Sequence, residues 1–589
     1  MQTTLTHMLQ MAYQAFASTR YAEAHRLLDA LDARHPDQAD SVHLRALVFK
    51  GEGQHAQSED QFGAADRLRP GDPQILTNWG NLRSDTGDPA AAIDLYDQAL
   101  RTNPTFSEAH YNRALALHRL GQLAKALAAF DTLAKALPDQ AKMHGGRGAA
   151  LMALDRPYEA IEAFDRALAI DPALKVALDG RARLALETGE VAPVAHYITA
   201  LQRTPGDRPL ILGVVHAMLA EGDVSGLDVL HDVVRHDPAW IEGLYQLAML
   251  RAEFSDGDDF AAPIRDAITQ QPANPALYQA LAAALSGADR YASALEALRE
   301  GERACGIQPE WAFEIARLEG ETGQWATAWE HLAALPDDDV SREVRGRLAL
   351  RMGRADAAAA LLEGLVMRSP ASVPGWAYLS LAWRLTGDAR HDWLVGQPGL
   401  WGATELPLDT DQLDQLATVL RGIHLTRAHP VGQSLRGGTQ TRGRLFWRRE
   451  PELVALAAGI ERAVGDFMNR LPGEDTPHPL LRHARGALKL AGSWSVRLVD
   501  NGFHVSHIHP QGVLSSACYI VVPDADEPES REGWLEIGGA PAELGLGLEP
   551  LALIKPKPGR LALFPSYLFH GTRPFARGER LTVAFDALA

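Results

Sequence analysis

Three histidines, an arginine and a threonine stand among short β-like runs near the end of the chain: His507, His509, His570, Arg580 and Thr582. Residues two apart on an extended strand point to the same face, so His507 and His509 can both reach one metal ion. His570, arriving on another strand, would add a third ligand and leave the opposite side of the ion open. The pattern predicts an iron(II) site with free coordination positions.

Arg580 and Thr582 repeat the spacing of two, which would point both side chains into the same cavity. A guanidinium is a forked, permanently charged donor for a carboxylate, and the threonine adds a hydroxyl beside it. We therefore expect a metal and a dicarboxylate co-substrate to bind together. His504, an odd number of residues before His507, is expected to face away from the site in a regular strand, and Arg497 is a weaker pocket candidate.

Two segments that contain these residues resemble a known family. Residues 507–520 (HIHPQGVLSSACYI) and 559–570 (GRLALFPSYLFH) are similar to the 2-oxoglutarate/Fe(II) oxygenase family, whose members often follow tetratricopeptide repeats. Residues 433–441 are similar to a stretch upstream of the barrel in such proteins. His509 stands where the wider superfamily usually has an aspartate or glutamate, as it often does in the closer family.

The resemblance implies a cofactor, two co-substrates and a set of site residues. His507, His509 and His570 would hold Fe(II), which would bind 2-oxoglutarate through its keto-acid end and use O2 to hydroxylate a substrate C–H bond. Arg580, helped by Thr582, would pair with the far carboxylate of 2-oxoglutarate. Tyr519 follows the His507/His509 loop, where related enzymes often place a tyrosine near the co-substrate, although a tyrosine there could equally belong to the core.

Length, charge and cysteine content narrow the remaining classes of function. A chain of 589 residues is too long for one core and is expected to divide into several units. No apolar run is long enough to span a membrane, the start lacks the features of a secretory signal, and two distant cysteines exclude a disulfide framework. A net charge of −18 disfavours nucleic-acid binding. We expect a cytoplasmic protein.

A period of 34 residues runs through the first part of the chain. It is carried by prolines, by apolar or aromatic positions and by turn residues: Pro36, Pro70, Pro104, Pro138 and Pro172; Leu28, Phe62, Tyr96, Phe130 and Phe164; Gly53, Gly87, Gly121, Asp155 and Gly189. This period is that of the tetratricopeptide repeat, a helix–turn–helix unit. The spacing then loosens, and we predict about ten or eleven repeats over residues 1–390.

Stacked repeats of this kind form a superhelix whose concave surface commonly binds a peptide or a partner helix. We therefore expect the substrate to be a protein or peptide docked on the repeats. Two alternatives stay open: an oxygenase of a small molecule whose repeats serve oligomerisation, and a non-catalytic interaction scaffold.

After the repeats we predict a linker at 391–402 and an oxygenase domain at 403–589, with a barrel core at about 490–589. Helix start signals at 410 and 451 precede short β runs punctuated by glycine and proline, which is typical of a double-stranded β-helix, or jelly roll. The acidic loop 524–532 is a candidate lid. The predicted fold is an all-α tetratricopeptide superhelix followed by this jelly-roll domain with flanking helices.

Overall fold

A computed structural model describes residues 2–254, 259–523 and 530–589. The helices of these residues are α1 Gln2–Ala17, α2 Tyr21–Asp32, α3 Ala39–Gly51, α4 His55–Leu68, α5 Pro73–Asp85, α6 Pro89–Thr102, α7 Ser107–Arg119, α8 Leu123–Ala136, α9 Ala141–Ala153, α10 Pro157–Ile170, α11 Lys175–Glu187, α12 Pro193–Arg203, α13 Arg208–Ala220, α14 Gly226–His236, α15 Ile241–Phe254, α16 Ala262–Gln270, α17 Pro275–Gly287, α18 Tyr291–Cys305, α19 Ala312–Glu321, α20 Trp325–Ala333, α21 Asp339–Arg351, α22 Ala355–Arg368, α23 Val373–Thr386, α24 Thr410–Gly422 and α25 Pro451–Arg470.

Among the described residues, seven strands come after the last helix and two lie between the last three helices. They are β1 Gly402–Glu405, β2 Leu435–Gln440, β3 Lys489–His507, β4 Leu514–Val521, β5 Leu535–Ile537, β6 Ala552–Ile554, β7 Arg560–Pro565, β8 His570–Thr572 and β9 Arg580–Leu588. A helical array of tetratricopeptide type is thus followed by a β-rich domain, and the predicted fold class is confirmed. None of the described helices is both long and apolar enough to cross a bilayer.

Several aromatic side chains of the 34-residue period pack closely against a glycine of a neighbouring helix. Tyr96 lies so close to Gly80 that a Cβ there would meet the ring at 2.5 Å, and Phe130 leaves the same lack of room at Gly146. Both rings are almost completely buried. Close contacts between an aromatic ring and a glycine thus join neighbouring helices at these positions.

A second recurring contact links one repeat to the next. An aspartate on one helix pairs with the arginine 16 residues later on the following helix, at 2.6, 2.6 and 2.8 Å: Asp97–Arg113, Asp131–Arg147 and Asp165–Arg181. The turns have positive φ at Gly53, Gly87, Gly121, Asp155 and Gly189, as their place in the period predicts.

The chain divides into two compact units. The first contains Met1–Leu184 and Ala195–Pro205, and the second contains Ala185–Val194 and Gly206–Ala589. The later repeats therefore belong to the same unit as the β-rich domain. The domain boundary expected at 390 stays a prediction.

The strands of the second unit form one antiparallel sheet with a barrel-like arrangement. Its order is β1-β7-β4-β9-β3-β8-β5-β6, and β2 also pairs with β3. The long strand β3 bends at Asn501, which has positive φ, and Gly502. Its first part pairs with β9 and its last part with β8, which brings the ends of β3, β8 and β9 together.

One apolar cluster crosses position 390. On the repeat side it includes Trp376, Leu379 and Trp383, and on the β side it includes Leu514 and Phe564. Each of these side chains is at least 93% buried. The last repeat helices and the sheet therefore share a core.

Polar contacts reinforce this shared core. Arg442 makes two hydrogen bonds, of 2.9 and 3.1 Å, to the buried Glu253 of α15. Arg384 of α23 donates to the carbonyl oxygens of Gly538 and Glu549. Residues 524–529 of the candidate lid lie outside the described residues.

The shared core predicts how fragments should behave. A fragment of residues 391–589 loses Trp376, Leu379 and Trp383, and full burial of such a side chain contributes about 1.5–3 kcal/mol. We expect its free energy of unfolding, measured by urea denaturation, to be lower than that of a fragment of residues 206–589. Equal free energies of unfolding would contradict the shared core.

Candidate metal centre

Three histidines meet at the ends of β3 and β8. His507 is the last residue of β3, His570 is the first of β8, and the two are partners in the sheet register. His509 lies in the loop after β3. One ring nitrogen of each lies within 4.8 Å of the others, so the side chains expected to share a metal are brought together.

Backbone carbonyls fix the protonation of two of these rings. Nδ1 of His507 lies 2.9 Å from the carbonyl oxygen of Val505, and Nδ1 of His570 lies 3.1 Å from that of Leu568. Because a carbonyl oxygen can only accept, each Nδ1 carries the hydrogen. Each Nε2 is left with a lone pair, the form that binds metal.

The third ring is fixed by a side chain. Nδ1 of His509 donates to a carboxylate oxygen of Asp586 in β9, which leaves its Nε2 as the nitrogen that can bind a metal. That Nε2 lies 3.2 Å from Nε2 of His507. Two lone pairs at this distance repel, and a cation between them removes the repulsion.

Burial keeps the rings of His507 and His570 neutral. Together with the neighbouring His509, it lowers the pKa of His507 to about 3. The pKa of His570 is held well below its usual value, first by burial and then by His507 and His509. The rings therefore remain unprotonated and able to bind a metal at neutral pH.

Arg580 is a buried cation that lines the same cavity. It is 2% exposed, and its Nε has no hydrogen-bond partner among the described residues. Burial lowers its pKa, the contact with the Tyr519 hydroxyl offsets this only in part, and no carboxylate is among the influences on it. An unpaired buried guanidinium is costly, and a carboxylate ligand would satisfy it.

The side chains beside Arg580 belong to β9 and β4. Arg580 and Thr582 both line the cavity, as their spacing predicts, and Ala584 and Asp586 continue the alternation. The guanidinium lies 5.1 Å from the ring centre of Tyr519, and its contact with the tyrosine hydroxyl affects the pKa of both groups. Extending the period of two along β9 could have found Asp586 from the sequence.

The expectation for His504 was wrong. His504 lines the cavity, its ring stacks on His507 at 5.7 Å, and its Nδ1 lies 3.0 Å from the hydroxyl of Ser434. The register of β3 against β8 shifts between His504 and His507, so the alternation that predicted an outward side chain is interrupted. Ser434, which is also 3.1 Å from Nε2 of His507, was not predicted.

Arg497, the weaker candidate, does not line the cavity. Its Nε bonds Glu579 at 2.6 Å, and Arg421 pairs with the same carboxylate. Behind the sheet, His424 bonds the hydroxyl of Ser495, which donates to the carbonyl oxygen of Thr582. These groups support β9 from its other face.

The cavity that contains the three histidines and Arg580 has a volume of about 580 Å³. Its walls include Asp289, from the turn between α17 and α18, and Tyr378 of α23. Asp289 pairs with Arg436 of β2 at 2.5 Å, and Tyr378 packs on Phe569 at 5.4 Å between ring centres. The later repeats therefore form part of the cavity wall.

Comparison with known families agrees with a chain in which a repeat array is followed by a β-rich domain. A family model described as "Putative 2OG-Fe(II) oxygenase" matches residues 492–586. A tetratricopeptide-repeat model matches residues 77–141 and 119–174. The chain thus carries tetratricopeptide repeats followed by a domain of that oxygenase family.

Solved structures similar to the chain include three repeat proteins of modest likeness. PilW, a type IV pilus biogenesis factor, is 18% identical over 35% of this chain and 96% of its own, with a TM-score of 0.33. YrrB, described as a TPR protein with an unusual peptide-binding site, is 19% identical over 29% and 88%, with a TM-score of 0.25. A thermophilic TPR protein of Thermus thermophilus is 20% identical over 31% and 100%, with a TM-score of 0.28.

The geometry separates a ligand histidine from its neighbour. We expect His570→Ala to weaken Fe(II) binding, measured by anaerobic calorimetry, by more than the about 10–100-fold typical of losing an outer-shell partner. His504→Ala removes an imidazole from the same cavity and should have a smaller effect. Unchanged Fe(II) binding in His570→Ala would exclude it as a ligand.

Proposed function

We propose that this chain, which joins tetratricopeptide repeats to a domain of the 2OG-Fe(II) oxygenase family, is an Fe(II)- and 2-oxoglutarate-dependent oxygenase. It hydroxylates a protein or peptide substrate. The observation that carries the proposal is a single buried cavity with three converging histidine lone pairs and an unpaired arginine. The histidine lone pairs can bind a cation, and the arginine needs an anion.

The residues present fit Fe(II). His507, His509 and His570 supply three neutral nitrogen donors, and their Nδ1 contacts aim the three rings at one place. When bound, the iron activates O2 for attack on a C–H bond. The histidines provide ligands and geometry, while the neighbouring buried ring of Phe564 helps to keep water from the site.

The residues also fit a dicarboxylate. Arg580 presents an unsatisfied buried donor, Thr582 adds a hydroxyl from the same strand, and the Tyr519 hydroxyl offers another donor close by. We assign them to one carboxylate of 2-oxoglutarate. Its other end would then be directed towards the histidines that line the same cavity.

A protein or peptide substrate is supported by the repeat residues in the wall. Asp289 and Tyr378 come from repeat helices and face the same cavity as His507. A side chain that reaches the metal would therefore pass between the repeats and the sheet. If the substrate were a small molecule and the repeats served oligomerisation, the position of Asp289 and Tyr378 in the cavity wall would have no role. If the chain were a non-catalytic scaffold, the convergence of the three histidines would have no role.

Turnover of 2-oxoglutarate tests the activity directly. The full chain, loaded with Fe(II) in the presence of O2, should release succinate, and a His507→Ala/His570→Ala variant should not. A wild-type chain that releases no succinate, alone or with a cell lysate as the substrate source, would favour the scaffold alternative.

For Arg580 we predict a substitution that weakens 2-oxoglutarate binding without lowering the stability of the ligand-free protein. Arg580→Met should lose about 2–5 kcal/mol of 2-oxoglutarate affinity, because a buried charge pair is broken. The ligand-free variant should be no less stable to urea, because an unpaired buried cation is removed without loss of volume. Arg497→Met, which breaks an ion pair outside the cavity, is the control and should retain 2-oxoglutarate affinity.

The repeat wall gives a separate prediction. Tyr378→Ala and Asp289→Ala should lower the yield of oxidised (+16 Da) peptides when the enzyme is added to a lysate from cells that lack it. Their 2-oxoglutarate affinity should match the wild type, because neither side chain touches Arg580. Tyr245→Ala, on repeat helix α15 and outside the cavity wall, is the control. Full yield in both wall variants would contradict substrate passage along the repeats.

A further inference from the structure

The three histidines differ in what holds their Nδ1 hydrogen. For His507 and His570 the acceptor is a neutral backbone carbonyl. For His509 it is the carboxylate of Asp586. One of the three metal-binding rings is therefore joined to a negative charge, and the other two are not.

Asp586 is placed so that its charge acts on His509. It lies on the cavity face of β9, opposite Ser515 of β4 in the sheet register, and its side chain is 23% exposed. The structure gives it an ion pair with His509 and, among the described residues, none with a lysine or arginine. The ring of Trp494 packs on His509 at 5.6 Å, so the imidazole is held from both sides.

Three neutral imidazoles bring no negative charge to a divalent ion. A carboxylate that accepts a hydrogen bond from a ligand ring makes that ring a stronger donor and brings negative charge near the metal. Stabilisation by nearby negative charge grows with the charge of the ion, so it favours Fe(III) more than Fe(II).

We propose that Asp586 is the charge-compensating residue of this site: it fixes the proton of His509 on Nδ1 and supplies negative charge next to the metal through that ring. The proposal rests on the metal site described under the proposed function. Asp586 acts through His509 and is a positioning residue, because it does not itself bind the ion.

The experiment uses the full-length chain and Asp586→Asn, which removes the charge with little change of shape. Glu405→Gln is the matched control, because Glu405 is an acid of the same domain that pairs with Lys557 and Arg560, outside the cavity. Fe(II) affinity is measured by anaerobic calorimetry, and the Fe(III)/Fe(II) potential of the bound ion by spectroelectrochemistry.

In Asp586→Asn we expect Fe(II) binding about 10–100-fold weaker, the usual effect of losing such a partner. We also expect a higher reduction potential, by about 59 mV for each tenfold loss of Fe(III) affinity relative to Fe(II). Glu405→Gln should leave both quantities at wild-type values.

The possible outcomes separate the parts of the argument. Wild-type affinity and potential in Asp586→Asn would overturn the proposal. A lower affinity with an unchanged potential would show that Asp586 only fixes the proton of His509, which overturns the assigned role of its charge. A wild-type chain that binds no Fe(II) would contradict the metal site itself, and this inference with it.

A second comparison tests whether Asp586 acts through His509. In a His509→Asp background there is no imidazole for Asp586 to hold, so adding Asp586→Asn should change Fe(II) affinity by no more than about twofold, the scatter of independent sites. A further loss of about 10–100-fold in that background would show that Asp586 acts on the metal by another route, against the proposal.

Discussion

The site depends on three histidine nitrogens whose lone pairs converge in one cavity. Without a cation between them they repel, so the protein must hold them against that repulsion. It does so from three separate parts of the fold: the end of β3, the start of β8 and the loop before β4. Each ring is held by an acceptor on its Nδ1 side, and two of the acceptors are backbone groups that no substitution removes.

A second group that lines the cavity also lacks a partner of opposite charge. Arg580 is buried without an anion among the described residues, while the pKa values of His507 and His570 are lowered, which keeps these rings neutral and able to bind a cation. A molecule with a carboxylate at each end would suit both, since one end would pair with Arg580 and the other would complete a metal ion's coordination. The proposed co-substrate thus follows from two unsatisfied groups in one cavity, and each group alone would be a weaker argument.

The sequence predicted what depends on local spacing. The 34-residue period indicated the repeats, because the apolar and aromatic positions that define it are buried in successive units. The alternation in β9 placed Arg580 and Thr582 on one face, because that strand is regular across these positions. The prediction for His504 failed because β3 changes register before its end, and a bend of this kind has no reliable signal in single-residue spacing.

Other site residues depend on distant parts of the chain. Ser434 reaches the histidines because β2 pairs with the far end of β3, about 70 residues later. Asp289 and Tyr378 reach the cavity because the repeat helices share a core with the sheet. No local pattern in the sequence indicates contacts between residues so far apart in the chain. The sequence alone therefore predicted that the repeats end near 390, before the oxygenase domain.

Helix α23 packs against the β-rich domain next to the histidine cluster. Its Arg384 holds the carbonyl oxygen of Gly538, and the backbone nitrogen of Gly538 donates to the carbonyl oxygen of Phe569 at 2.6 Å. Its Tyr378 packs on the ring of the same Phe569, the residue before His570. Two sets of contacts therefore connect this repeat helix to Phe569, the residue before His570. The position of His570 therefore depends on packing against a repeat helix as well as on the sheet register.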